Sequence, residues 1–429
     1  MQRHINSESL LEVQIGEMKM LSKTAITKMQ AAIVVVIMII AVAAGAYYTT
    51  MTAAPQTIKI GVITPLSPPG DYVSGKLILE TAQLFVEWKN GQGGVLGKKL
   101  ELVQADQTLD PSVAISNLQR MVSKDKIVGL VGPWESSVAL PMAGATQDNP
   151  VIMFVTYSWA DDITKNHYKY VFRTGVYNSL IAGQSLEYFH SVGWKNIAVI
   201  VEESPYGFGQ RDSMKWWGEQ KYPEMQFTFI PAAMGKADYS AELSRVKGIT
   251  PQPDVLVIHL NVPHAFVAGK QAVEMGLTKA GIKIYFGSDS PTWDPKSFWE
   301  MMGQGGVGTE FPTYYSPYMK VTATGQQFQD LYNAKYGKHP FIAIMWYWDS
   351  LRILTEAIEK TGSTNPDTLA KYIETIQIEG TTGTISYTND PDPNSTLWHQ
   401  WIGMTQYNFE FTEFQQDAQK AKQVFPPAG

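Results

Sequence analysis

Residues 58–90 read IKIGVITPLSPPGDYVSGKLILETAQLFVEWKN, and this stretch decides the fold class. Ile58, Ile60 and Val62 alternate with Lys59 and Gly61, which is the period of a strand, and a loop rich in proline and glycine follows. Beyond Val73 the apolar residues fall at Leu77/Ile78, Ala82 and Phe85/Val86, which is the period of a helix. A strand followed by a helix is the unit from which parallel sheets covered by helices are built.

Working outward, the same order recurs. Strand-like runs at 100–103, 127–131 and 151–155 accompany a helical stretch at 111–123, with Ala114/Ile115, Leu118 and Met121/Val122 on its inward face. A second series at 197–201, 227–230, 255–258 and 282–286 alternates with further helical stretches. With 429 residues, 44% of them hydrophobic, the pattern predicts an α/β protein of two doubly wound, Rossmann-like parallel-sheet lobes. The run YVFRTGVYN at 170–178 is the expected crossing between them. Ligands of such sheets sit at the carboxyl ends of the strands, so two facing lobes make a cleft.

Ahead of the strands, residues 29–58 carry no formal charge, and 31–46 read AAIVVVIMIIAVAAGA. Lys19, Lys23 and Lys28 precede this segment and the next charge is Lys59, so the positive-inside rule leaves the N-terminus in the cytoplasm and the rest outside. We read 1–28 as a short cytoplasmic leader, 29–48 as a transmembrane anchor or a signal peptide, and 49–57 as a linker. Tyr47 and Tyr48 suit an interfacial anchor, while Ala44-Gly45-Ala46 suits a signal-peptidase site.

Composition narrows the function. Thirty-four Lys and Arg against 40 Asp and Glu give a net charge of −6, which supplies no counterion-release drive toward nucleic acid. The absence of cysteine excludes disulfides, thiolate zinc sites, thiol nucleophiles and an acylated lipoprotein cysteine. Neither GxSxG nor HExxH occurs, and the seven histidines show no ligand spacing. Gly303 to Gly308 (GQGGVG) follows a helical stretch and leads into extended chain, the reverse of the dinucleotide-binding order. Residues 90–99 (NGQGGVLGKK) read as a helix end and turn. No catalytic group, metal or cofactor is therefore expected. Twelve Trp, 21 Tyr and 17 Phe leave aromatics to line a ligand site.

Two stretches carry candidate ligand chemistry. In VGLVGPWESS (128–137) a buried strand ends at Gly132-Pro133, and Ser136 or Ser137 is placed to cap a helix beginning near Val138. Free N–H groups at such a helix start make either a site for a carboxylate or an ordinary cap. In FGSDSPTWD (286–294), Asp289 lies just past a strand end, to meet a ligand cation or to make a turn. An anion site on one lobe and a carboxylate on the other match a zwitterion.

In order and spacing, IKIGVITPLSPPGDY, NGQGGVLGKKLELVQADQTLDP, DKIVGLVGPWESS, YKYVFRTGVYNS and SPYGFGQ resemble the branched-chain amino-acid type of periplasmic binding protein that serves ABC importers. The resemblance runs from residue 58 into the 380s. It implies a type I solute-binding fold whose lobes are joined by three hinge crossings, near 170–178, 307–312 and 382–387. Lobe 1 then takes 58–175 plus 310–385, and lobe 2 takes 176–309 plus 386–429. It also implies an extracellular monomer, without cofactor, that closes on an amino acid or related small molecule and delivers it to a membrane permease. Ser136 corresponds to the serine that holds the ligand carboxylate and Asp289 to the acid that takes the α-ammonium. Tyr206, and Tyr72 if one residue is deleted, correspond to cleft tyrosines.

The chain also departs from that pattern. Ser158 and Trp159 stand where the family has an Ala-Thr pair, Asn261 stands where a second tyrosine is common, and Glu135 replaces a cysteine beside Ser136. A tryptophan for threonine removes a polar clamp and adds a flat wall suited to stacking. Trp134, Trp293 and Trp346 are further candidates for that wall or for core packing. Amides and aromatic carboxylates are the alternative ligands, and the ectodomain of a sensor is the alternative function.

Overall fold

The computed structural model describes residues 28–42 and 57–427, except 69, 294, 315–320, 391, 393–396 and 415–420. Residues 28–42 form a helix that covers most of the expected membrane segment. Among the described residues no helix is long and apolar enough to cross a membrane. Residues 1–27 of the expected leader and 43–56, with Ala44-Gly45-Ala46, Tyr47, Tyr48 and nearly all of the expected linker, lie outside them.

Thr57 to Gly429 is a compact unit of its own. Its strands are β1 (Ile58–Thr64), β2 (Leu100–Asp106), β3 (Ile127–Val131), β4 (Ile152–Val155), β5 (Val171–Arg173), β6 (Asn196–Glu202), β7 (Gln226–Ala232), β8 (Val255–His259), β9 (Lys283–Phe286), β10 (Glu310–Thr313), β11 (Ile378–Glu379), β12 (Thr384–Ile385), β13 (Tyr387–Asn389), β14 (Trp398–Trp401), β15 (Tyr407–Glu410) and β16 (Lys422–Phe425). Two seven-stranded sheets result, in the orders β13-β14-β5-β4-β3-β1-β2 and β16-β15-β10-β9-β8-β6-β7. Five consecutive strands of each, β5-β4-β3-β1-β2 and β10-β9-β8-β6-β7, are parallel and follow the same winding. The edges differ: β14 runs parallel to β5, whereas β15 runs antiparallel to β10.

These elements follow from local chemistry. In β1, Ile60, Val62 and Ile63 are fully buried because helices cover both faces of the sheet, as parallel strands require. The helix Tyr72–Gly91 starts at Asp71, whose carboxylate accepts from Ser74 N at 3.1 Å. The helix Pro111–Arg120 starts likewise at Asp110, and a π-helical turn (Met121–Asp125) completes the stretch expected as one helix. The helix Ile342–Thr361 runs through the first core, where Trp348 packs edge-on to Phe85 and stacks on Phe328. Around Gly303 a helix (Pro295–Met302) leads through a 3-10 turn toward β10, so this glycine run does not bridge a strand to a helix.

The first crossing lies where it was expected, after β5, since the helix Asn178–Ser191 packs Leu186 and Phe189 against the second sheet. The other two do not. β10 pairs with β9 and β15, so the chain leaves the second sheet only after Thr313 rather than at 307–312. The segment 387–401 folds back as the antiparallel pair β13–β14 on β5, so the last crossing is at 402–406 rather than 382–387. By sheet membership, 310–313 belong with the second half and 387–401 with the first, opposite to the expected boundaries.

Candidate functional site

The loop after β4 meets residues at the ends of β6, β8 and β9, since Trp159 lies against Tyr206 and His259 and Tyr157 bonds Asp289. Gly132 turns the chain at the end of β3 with φ +99°, and a Cβ there would lie 2.0 Å from the Ile63 carbonyl oxygen, so only glycine fits. The next residues are anchored by Gln107, whose Oε1 accepts from Trp134 N at 2.8 Å.

The helix expected near Val138 begins instead at Ser136, with Glu135 in the cap position and making no side-chain cap bond. The Ser136 Oγ accepts from Trp159 N at 3.0 Å and from Ala160 N at 3.2 Å, which ties the β3 loop to the β4 loop. Ser158 adds to this tie: its hydroxyl lies 2.9 Å from the Pro133 carbonyl oxygen and 2.6 Å from that of Trp134. Beneath them Arg173, wholly buried, donates to the carbonyls of Ser158 and Ala160. Burial lowers its pKa to about 10, against the opposing charge of Asp161.

Glu135 turns toward Gln107 Nε2 and toward Asp71 N, the latter at 3.1 Å. Burial raises its pKa to about 8, and the charges of Asp71 and Glu202 push the same way. From the second half, Ser204 caps the helix Pro205–Lys221 and so places Tyr206 in its first turn. Asn261 is held by Glu202, which accepts from its N and Nδ2 at 3.1 Å each. Asp289, 2% exposed, accepts a hydrogen bond from the Tyr157 hydroxyl across the two halves.

Between these loops lies a small cavity of about 20 Å³, room for about one water, lined by Trp134, Glu135, Ser136, Tyr157, Trp159, Tyr206 and Asn261. Its walls are aromatic. Trp134 stacks on Tyr157 with centroids 4.9 Å apart, Trp159 meets Tyr157 and Tyr206 edge-on at 5.3 Å each, and Tyr206 stacks on His259 at 4.2 Å. His259 is fully buried, and desolvation lowers its pKa to about 3, so the ring is neutral.

Of the residues singled out from sequence, Ser136, Trp159, Tyr206 and Asn261 come together on this space, and Asp289 joins them through Tyr157. Ser158 does not line it, because its hydroxyl is turned to backbone carbonyls. Tyr72, the first residue of its helix and 51% exposed, does not line it. Trp134 is part of the wall, while Trp346 packs behind Tyr157 and donates to Thr382 Oγ1 at 3.2 Å. The side chain of Trp293 is outside the described residues. Sequence reading passed over Tyr157 and treated Glu135 only as a missing cysteine. The aromatic spacing in TYSW was the available signal for the first, and an acid at a helix start after a buried strand was the signal for the second. Among the described residues, no three His, Asp or Glu side chains are grouped to hold a metal ion.

The family described as periplasmic binding protein matches residues 57–405. A Leu/Ile/Val-binding protein of Rhizobium johnstonii is 32% identical over 159 residues, which is 37% of this chain and 43% of that protein. A leucine-, isoleucine-, valine-, threonine- and alanine-binding protein of Pseudomonas aeruginosa is 25% identical over 384 residues, 87% of this chain and 94% of that one. Among solved structures, a leucine-binding protein from Thermotoga maritima superposes with a TM-score of 0.72 at 22% identity, covering 86% of this chain and 97% of its own, a likeness of fold.

Proposed function

The chain belongs to the periplasmic binding protein family, whose members bind solutes without catalysis, and from this premise we propose that it is the solute-binding component of an ABC importer. In this reading it captures an amino acid or related small polar molecule between its two halves and delivers it to a membrane permease. The observation that carries the reading is the enclosed aromatic space whose lining comes from both halves, with Tyr157 of one bonded to Asp289 of the other. A molecule seated there touches both halves at once, so its binding energy favours their approach.

Asp289 is then the partner of the ligand ammonium, exchanging the Tyr157 hydroxyl for it. The chain crosses between the sheets three times, at 174–177, after Thr313 and at 402–406, which supports a hinge of three strands. The apolar segment 29–48, with Lys19, Lys23 and Lys28 before it, carries the binding unit out of the cytoplasm. N-terminal sequencing of the protein from membranes and from medium separates a retained anchor from a cleaved signal.

The test uses the chain from Ala53, which keeps both sheets and their hydrophobic clusters. Thermal unfolding is followed against amino acids, amines, amides, organic acids and sugars. A ligand at 100 times its dissociation constant adds about 2.7 kcal/mol of stability. The expected result is a shift with one chemical class and a smaller radius of gyration in its presence. No shift with any class, together with unchanged scattering, refutes the proposal.

A further inference from the structure

The last passage between the sheets, 402–406, is held at its two ends by different halves. Trp401 closes β14, pairs with Tyr387 and donates from Nε1 to the Thr384 carbonyl at 3.1 Å, so it belongs to the first half. Gln406, 3% exposed, belongs to the second: its Nε2 donates to Ser185 Oγ at 3.2 Å, to the Tyr285 hydroxyl at 3.4 Å and to Asn408 Oδ1 at 3.2 Å. The Tyr314 hydroxyl donates to Gln406 Oε1 at 3.0 Å, which fastens the second passage to the third at this point. Met404 is shared, with its side chain in the first core and its carbonyl accepting from Gln184 Nε2 at 3.0 Å. Between Trp401 and Met404 stand only Ile402 and Gly403, both exposed.

Gly403 has φ +150°, a backbone conformation that L side chains rarely adopt. Packing does not demand the glycine, because the one atom a Cβ would meet within 4 Å is Trp401 Nε1, at an ordinary 3.5 Å. The first passage shows the opposite case. Thr174 N donates to the Val155 carbonyl at 3.0 Å, and a Cβ on Gly175 would lie 1.9 Å from the Thr156 carbonyl oxygen, so glycine there serves close packing on the first half.

We infer that Gly403 is the pivot of the third passage, the residue whose backbone angles change when the halves move apart. The inference rests on the solute-capture reading and names a residue that regulates closure without lining the cavity. With a Cβ at 403 the joined form carries backbone strain that the separated form sheds, so the balance moves toward separation and any solute that binds the joined form binds more weakly.

The test is Gly403→Ala in the chain from Ala53, with Gly362→Ala beside it. Gly362 follows the helix Ile342–Thr361 at φ +63°, with no atom within 4 Å of a Cβ, so its strain is the same whether the halves are joined or apart. In Gly403→Ala the ratio of separated to joined forms should rise by about 5- to 150-fold, read without added solute as a larger radius of gyration in small-angle scattering. Gly362→Ala should melt at a lower temperature with unchanged scattering. The thermal panel of amino acids, amines, amides, organic acids and sugars gives a second readout: the compound that shifts the native chain should need a higher concentration, by the same factor, to shift Gly403→Ala equally. Scattering and concentration dependence both identical to native overturn the pivot, whatever the melting temperature, and leave solute capture intact. If no compound shifts the native chain, capture falls and scattering alone decides the pivot.

Discussion

Tyr157→Phe isolates the bond that joins the two halves over the site. The substitution removes only the hydroxyl that donates to Asp289, while the ring can keep its stack on Trp134 and its edge contact with Trp159. A hydrogen bond to a charged group contributes about 1.5–3 kcal/mol, more than a neutral pair. Because the bond runs from one half to the other, its loss withdraws that free energy from the joined state and not from a separated one. The ratio of separated to joined forms should therefore rise by about 10- to 150-fold without ligand, at about 1.4 kcal/mol per factor of ten. Small-angle scattering of the ligand-free chain from Ala53 reads this as a larger radius of gyration and a broader distance distribution than the native chain shows. Spectroscopic melting controls for loss of either core. Identical scattering curves for native and variant, with unfolding unchanged, would refute a role for this bond in holding the halves together.

Three further outcomes follow from the same geometry. Asp289→Ala should cost about 3–5 kcal/mol of binding for an ammonium-bearing ligand, because the cation is buried without its partner; calorimetry showing unchanged affinity removes that role. Trp159→Thr should weaken the native ligand and improve small aliphatic amino acids, since it trades a flat wall for a hydroxyl; competition binding that shows no change of preference places the ring outside recognition. His259 has its pKa depressed to about 3 by burial, so the unfolded chain takes up a proton below about 6.5 that the folded chain refuses. Its contribution to stability is complete above pH 6.5 and is lost as pH falls toward 3, at up to about 1.4 kcal/mol per unit. Denaturant titrations of native chain and His259→Phe should diverge in that direction between pH 6.5 and 4, and parallel curves would contradict the burial of a neutral imidazole.

The strands and helices of both sheets were legible because burial on two faces imposes long apolar runs and one-sided helices, as β1 and the helix Tyr72–Gly91 display. The later crossings were not. β10 is four residues long with a proline inside it, and β13 and β14 are short strands parted by a polar loop, so neither carries a period long enough to read. The site divides in the same way. Asp289 and Ser136 could be placed because they lie within a few residues of strand ends, where the winding itself sets position. The orientation of Ser158 could not, since it depends on the Pro133 and Trp134 carbonyls of a different loop. Glu135 depends likewise on Gln107 after β2 and on the backbone of Asp71, contacts far away in the chain.

The distribution of bonds assigns the two halves different parts. Ser136, Ser158 and Arg173 lock the loops after β3, β4 and β5 into one block, so the first half presents a rigid wall. On the other side of the crossing, Asn178 N donates to the Trp159 carbonyl at 2.8 Å, and Asp161 accepts from Ser179 N at 3.1 Å. These bonds involve residues immediately after 174–177, where a rotation of one half on the other moves atoms least. The Tyr157–Asp289 bond instead reaches a loop more than 100 residues beyond that crossing. A ligand cation that takes over Asp289 therefore competes with a bond within the protein rather than with water. It must offer Asp289 more than the Tyr157 hydroxyl does, which a full positive charge supplies and a neutral donor does not.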